Sequence, residues 1–135
     1  MADLFHLIYT STPFGYDAAD LNGILLTARR NNTRDDITGA LVCRHDVYLQ
    51  YLEGPMEAVE TLYEKIVRDD RHVDVMLRAK GAASERLFAH WAMLHDPAET
   101  LIWTVDDVDQ GVMDEARSLE FLAMFQRIAA KARAA

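Results

Sequence analysis

The chain has 135 residues, with 14 Lys plus Arg against 22 Asp plus Glu, giving a formal net charge of −8. That length fits one domain with at most a short appendage, and the acidic balance argues against non-specific binding to nucleic acid or anionic membranes. Half of the residues are hydrophobic, enough to bury a core and too many for a disordered chain.

Leu4 to Ser11 is apolar and rich in rings and β-branched side chains, the pattern of a buried strand ending at the turn signals Thr12-Pro13 and Gly15. Asp17 is placed to cap a helix in which Ala18, Leu21, Leu25 and Ala28 recur at helical spacing; it is expected to end in the polar stretch Asn31 to Asp36. Ile37 to Cys43 and Val47 to Glu53 read as a hairpin closed by Arg44-His45-Asp46. Gly54-Pro55 stops the second of these strands and opens a helix whose apolar stripe is Met56, Val59, Leu62, Tyr63, Ile66 and Val67. Val73 to Ala79 is expected to form a fourth strand, and Phe88 to His95 a fifth, broken by Asp96-Pro97. From Val105 the pattern turns helical again, with a stripe of Leu119, Leu122, Phe125, Ile128 and Ala129.

The order β-α-β-β-α-β-β, then helices, predicts an α+β fold: a ferredoxin-like sandwich with one antiparallel or mixed sheet. Its C-terminal helices would cover the sheet face that the first two helices leave bare. Residues 1–96 would be the core domain and 97–135 a helical extension packed on the sheet.

The lone Cys43 excludes an internal disulfide or a multi-thiolate zinc site, and lies in an apolar strand where inert packing is expected. No apolar run reaches the roughly 20 residues of a membrane span, and Met1-Ala2-Asp3 lacks the basic start of a signal peptide. A cytoplasmic protein is therefore expected. The five histidines have no ligand spacing, so no metal is expected, and no Gly-rich phosphate loop or nucleophile elbow occurs. Period-two alternation puts Phe5, Leu7, Tyr9 and Ser11 on one side of the first strand and Tyr48, Gln50 and Leu52 on one side of the third. Those strands neighbour each other in such a sheet, so the Tyr9 hydroxyl and the Gln50 amide can satisfy one another, as a core hydrogen bond or as part of a site. Asn31-Asn32 follows the expected helix, where Asn serves as a cap or pairs with a heterocycle edge carrying adjacent C=O and N–H groups.

Six strings in register then resemble the BLUF family of blue-light sensors that use flavin. They are Leu7-Ile8-Tyr9-Thr10-Ser11, Arg30-Asn31-Asn32, Ile37-Thr38-Gly39-Ala40-Leu41, Leu49-Gln50-Tyr51-Leu52-Glu53-Gly54, Ile66-Val67-Arg68-Asp69-Asp70-Arg71-His72 and Phe88-Ala89-His90-Trp91-Ala92-Met93. The resemblance covers residues 3 to 95, and the tail looks like the helices completing short members without a fused effector. It implies FAD, with FMN or riboflavin as alternatives, held between the two main helices. Ile24 and Ile66 would sandwich the ring, Asn31 and Asn32 would meet its polar edge, and Gln50 would lie beside it. Lys65, Asp69 and Arg71 match positions near the ribityl and phosphate groups, with Lys65 where the family often has Arg. Asp36 stands where the family often has Gly. The photoactive set implied is Tyr9, Gln50, Ser11, Trp91 and Met93, the last two facing one way on the fifth strand.

The function so implied is a photoreceptor, not an enzyme. Tyr9 would donate an electron and a proton, Gln50 would rewire its hydrogen bonds, and the reversible red-shifted state would be relayed to a separate signalling protein or another copy in a homo-oligomer. The alternatives are a non-photochemical interaction module on the same fold and a small acylphosphatase-type hydrolase. The latter wants an Arg loop where this chain has Thr12-Pro13-Phe14-Gly15.

Overall fold

A computed structural model describes residues 4–13, 18–69, 72–96 and 101–134. The elements in chain order are β1 (Leu4–Pro13), α1 (Ala18–Asp35), β2 (Thr38–Arg44), β3 (Val47–Pro55), α2 (Met56–Val67), β4 (His72–Ala82), β5 (Leu94–Asp96), α3 (Val105–Asp109), α4 (Val112–Glu115) and α5 (Ser118–Ala134). The five strands form one mixed sheet in the order β4-β1-β3-β2-β5. Its first four strands pair antiparallel in ferredoxin-like order, while β5 runs parallel to β2 through Ala40–Leu94, Leu41–His95 and Val42–Asp96.

Alternation along the central strands splits the interior into two cores. Phe5, Leu7, Tyr9, Leu41, Cys43, Tyr48 and Leu52 pack under Leu21, Ile24 and Leu25 of α1 and Val59 of α2. Ile8, Ala40, Val42, Leu49 and Tyr51 face the other way and pack against Phe121, Met124, Phe125, Ile128 and Ala129 of α5. Burying a side chain of this size contributes about 1.5–3 kcal/mol, so each face needs its helical cover. The expected C-terminal cover is therefore present, but its stripe is shifted. Leu119 is 73% exposed, and Phe121 and Met124 are buried instead. In α2 the two ends of the expected stripe, Met56 and Val67, are likewise exposed.

Close approach fixes two glycines. A Cβ on Gly39 would lie 2.0 Å from the Tyr51 carbonyl oxygen, and one on Gly54 would lie 2.7 Å from the Asp36 carbonyl oxygen. Asp36 itself has φ 60°, the left-handed conformation that glycine adopts most cheaply. The outer strand β4 is irregular. Its pairing with β1 shifts between Ile8 and Tyr9 and again between Thr10 and Thr12, and Asp74 has φ 53°.

Several boundaries differ from the sequence reading. The first strand runs on through Thr12-Pro13, and β4 extends to Ala82. α1 continues to Asp35, so Asn31 and Asn32 sit within its last turns and do not follow it. The largest correction is the fifth strand, which is not Phe88–His95. The stretch from Ala83 to Met93 is irregular, and only Leu94–Asp96 joins the sheet. Asp17, Gly15 and Pro97 lie outside the described residues.

Candidate functional site: a slot between the two main helices

A cavity of about 170 Å³ opens between α1 and α2. Ile24, Thr27, Ala28, Asn31 and Asn32 line it from α1, Leu62, Lys65 and Ile66 from α2, Asp69 from the residues after α2, and Gln50 from the sheet. Helical spacing explains the convergence: Ile24, Thr27, Ala28 and Asn31 recur at i, i+3, i+4 and i+7, and Leu62, Lys65, Ile66 and Asp69 repeat that pattern. The sequence reading named Ile24, Asn31, Asn32, Gln50, Lys65, Ile66 and Asp69, and the structure brings these seven together. It missed Thr27, Ala28 and Leu62, which one further helical turn from the named residues would have supplied.

The sheet floor of this slot is buried. Tyr9 and Gln50 are direct cross-strand partners, and both are buried. The Tyr9 hydroxyl donates to Gln50 Oε1, and Gln50 Nε2 lies 3.3 Å from Met93 Sδ. Burial, with the charge of Asp69 adding to it, pushes the Tyr9 phenol well above its usual pKa. Asn32 is fully buried. Its Nδ2 donates to the Ala92 carbonyl at 2.9 Å, and its Oδ1 has no partner among the described residues. An orphaned buried acceptor at a cavity wall costs about 1–3 kcal/mol unless a ligand donor reaches it.

The stretch after β4 threads between the two cores. Met93 belongs to the core beneath α1 and α2, whereas Trp91 packs with the core beneath α5, edge-on to Phe88. Trp91 and Met93 thus face opposite ways. The expectation of a shared side fails because this stretch is not a strand, and Met93 is the one against Gln50. Three successive carbonyls here are gripped: Trp91 by the Gly39 N–H at 3.1 Å, Ala92 by Asn32, and Met93 by Arg29 Nε at 3.2 Å. Further upstream the fully buried Glu53 carboxylate accepts the N–H groups of Leu87 and Phe88 at 2.7 and 2.8 Å and the Thr38 hydroxyl at 2.7 Å. Glu53 and Arg29 were not singled out from sequence. A Glu in an otherwise apolar strand was the available signal for the first.

Ser11 is buried two residues along β1 from Tyr9 but does not line the slot, and Arg71 lies outside the described residues. Cys43 is buried and its thiol is pushed up to about 12, in keeping with packing. Among the described residues no helix is long and apolar enough to cross a membrane.

A family model described as sensors of blue-light using FAD matches residues 4–94. The chain belongs to this family, whose defining cofactor is FAD. It is 32% identical over 106 residues to photoactivated adenylate cyclase subunit beta of Euglena gracilis, covering 78% of this chain and 12% of that protein. It is 33% identical over 91 residues to the blue light- and temperature-regulated antirepressor BluF of Escherichia coli, covering 67% of this chain and 22% of that protein. Among solved structures, the dark state of the BLUF protein BlrB matches with a TM-score of 0.80 at 28% identity, over 97% of this chain and 98% of that one. The photo-activated state of BlsA matches with a TM-score of 0.74 at 25% identity, over 93% and 94%.

The slot's residues fit a flavin. Ile24, Leu62 and Ile66 offer aliphatic walls to flat ring faces, and the orphaned Asn32 Oδ1 asks for an N–H such as a ring edge carries.

Proposed function

We propose that this chain is a blue-light photoreceptor whose switch is the Tyr9–Gln50–Met93 array, with no reaction on a substrate of its own. The observation that carries this reading is the buried Tyr9–Gln50 hydrogen bond at the floor of a slot whose wall holds an unpaired Asn32 oxygen. Ile24 and Ile66 hold the ring, Asn31 and Asn32 bind its edge, and Lys65 and Asp69, with Arg71 beyond them, serve the ribityl and phosphate end. Lys65 and Asp69 line the slot together and would serve the more polar part of the cofactor.

When bound, the flavin supplies absorption of blue light and an excited state that accepts an electron. Tyr9 is the residue placed to give an electron and its Oη proton together, because its buried phenol lies on the slot floor and already donates to Gln50. That proton is aimed at Gln50 Oε1, and both electron and proton return, leaving the cycle redox-neutral. The amide rearranges without backbone movement, since it carries a donor at one end and an acceptor at the other. With a flavin bound, the rearranged Gln50 amide would present a hydrogen bond to the ring, which would be read as a red shift.

The signal leaves through the stretch ending in Met93 and β5 toward the C-terminal helices and a separate partner protein or a second copy. The domain division at 96/97 belongs to this reading, with 97–135 as the output extension. Cyclase activity belongs to a relative of which this chain spans 12%, and it is not transferred. Purified protein reconstituted with FAD should be yellow and should show a small reversible red shift under blue light. Failure to bind flavin, or a flavin spectrum unmoved by light, overturns the reading in favour of a non-photochemical interaction module.

A further inference from the structure

We infer that Arg29 is a positioning residue that seats Met93 against the Gln50 amide. This rests on the photoreceptor reading above. Arg29 lies on α1, one turn before Asn32, and its Nε donates to the Met93 carbonyl 64 positions away in the chain. Asn32 Nδ2 holds the preceding carbonyl, Ala92. One face of α1 thus grips two consecutive peptide units, and the sheet grips the one before them through Gly39.

The grip matters because the contact it positions is directional. A thioether accepts but never donates, so Met93 Sδ favours the amide orientation that presents Nε2 to it and Oε1 to the Tyr9 hydroxyl. With Met93 free to swing away, one of the two restraints on that orientation is lost. The Ala83–Met93 stretch is irregular and has no ladder of its own at Met93, so side chains from α1 must supply the restraint. Re-forming the Arg29–Met93 bond is then part of the thermal return to the arrangement in the structure.

The side-chain chemistry provides matched variants. In Arg29→Gln the amide nitrogen stands the same number of bonds from Cα as Arg Nε, so the donor is kept and the charge removed. In Arg29→Met the length and apolar stem are kept and the donor is lost. Both are measured in the full chain reconstituted with FAD, reading dark recovery of the red shift together with the NMR signal of ¹³C-methyl-labelled Met93. Expected is unchanged flavin binding throughout, near-normal recovery in Arg29→Gln, and in Arg29→Met a roughly three- to tenfold slower recovery with a displaced Met93 methyl signal. If Arg29→Met recovers at the unmutated rate with an unmoved Met93 signal, the assignment is wrong. If both variants slow alike, the guanidinium charge acts and the hydrogen bond does not, which also overturns it. If the unmutated chain shows no red shift, it is the photoreceptor reading that fails.

Discussion

Gln50 and Met93 meet with amide nitrogen facing sulfur, while the other end of the same amide accepts the Tyr9 hydroxyl. One orientation of Gln50 therefore suits both neighbours; turned over, the amide can still donate to the Tyr9 oxygen but sets Oε1 against a sulfur that has no proton to give. Met93→Leu keeps the bulk and removes the acceptor. It should retain flavin and the red shift while slowing dark recovery, whereas Gln50→Leu and Tyr9→Phe should bind flavin and lose the shift. Illuminated difference spectra separate Met93→Leu from the other two. A full red shift in Gln50→Leu would remove Gln50 from the switch.

Asn32 lines the slot, holds the Ala92 carbonyl through Nδ2 and carries an unpartnered buried Oδ1. Asn32→Ala removes both amide atoms, and an unpaired group in a buried site is worth about 1–3 kcal/mol, or roughly a 5- to 150-fold loss of flavin affinity. Equilibrium titration with FAD monitored by fluorescence quenching measures this. Unchanged affinity would place the ring edge elsewhere.

The buried Glu53 carboxylate hydrogen-bonds the Tyr51 side chain and accepts from three further donors, two of them backbone N–H groups of the stretch that leads to Trp91 and Met93. In Glu53→Gln an amide NH₂ must face donors, and in Glu53→Ala all three lose their acceptor. Each should cost about 2–4 kcal/mol, read as a lower urea midpoint. Glu53→Gln should also loosen hydrogen-exchange protection at Leu87 and Phe88 before the sheet is affected.

Tyr9, Cys43 and Tyr51 all have folded-state pKa values raised by burial, Cys43 to about 12 from an ordinary 9.0. The unfolded chain ionises first as pH climbs through about 9 to 10, so stability should be fully present below pH 9 and fall above it. Urea midpoints at pH 8, 10 and 11 test the sign. A thiol reagent at pH 8 should likewise leave Cys43 unmodified until the protein unfolds, since the side chain is buried and burial disfavours its thiolate.

Asp36 occupies a left-handed backbone position and pairs through an exposed carboxylate with Arg86 at 3.1 Å. An exposed pair contributes little, whereas relief of a left-handed non-glycine residue is worth about 1 kcal/mol. Asp36→Gly should therefore raise the urea midpoint slightly, and a clear fall would show that the ion pair outweighs the strain.

The sheet, both main helices and the Tyr9–Gln50 pairing were legible because strict alternation or helical spacing announces a half-buried element. The fifth strand was not. Phe88, Trp91 and Met93 are apolar enough to suggest a strand, yet they divide between two cores, and a single chain cannot show which core a side chain enters. The Leu119 end of the C-terminal stripe misled for a related reason. Phe121 and Met124 meet the same helical spacing on the adjacent face, and they are the side chains that the sheet buries. Arg29 was illegible because its partner is a main-chain carbonyl far along the chain, and a carbonyl has no sequence signature.

The irregular course of β4 has a consequence for life at high concentration. β4 is an outer strand of 11 residues with Val73, Met76 and Leu77 exposed, the kind of rim on which further chains could stack by backbone pairing. Its slipped register against β1 and the left-handed turn at Asp74 break the straight row of amides and carbonyls such stacking requires, and the Asp74 carboxylate adds like-charge repulsion between copies. The outer rim thus carries its own guard against polymerisation, built into the backbone.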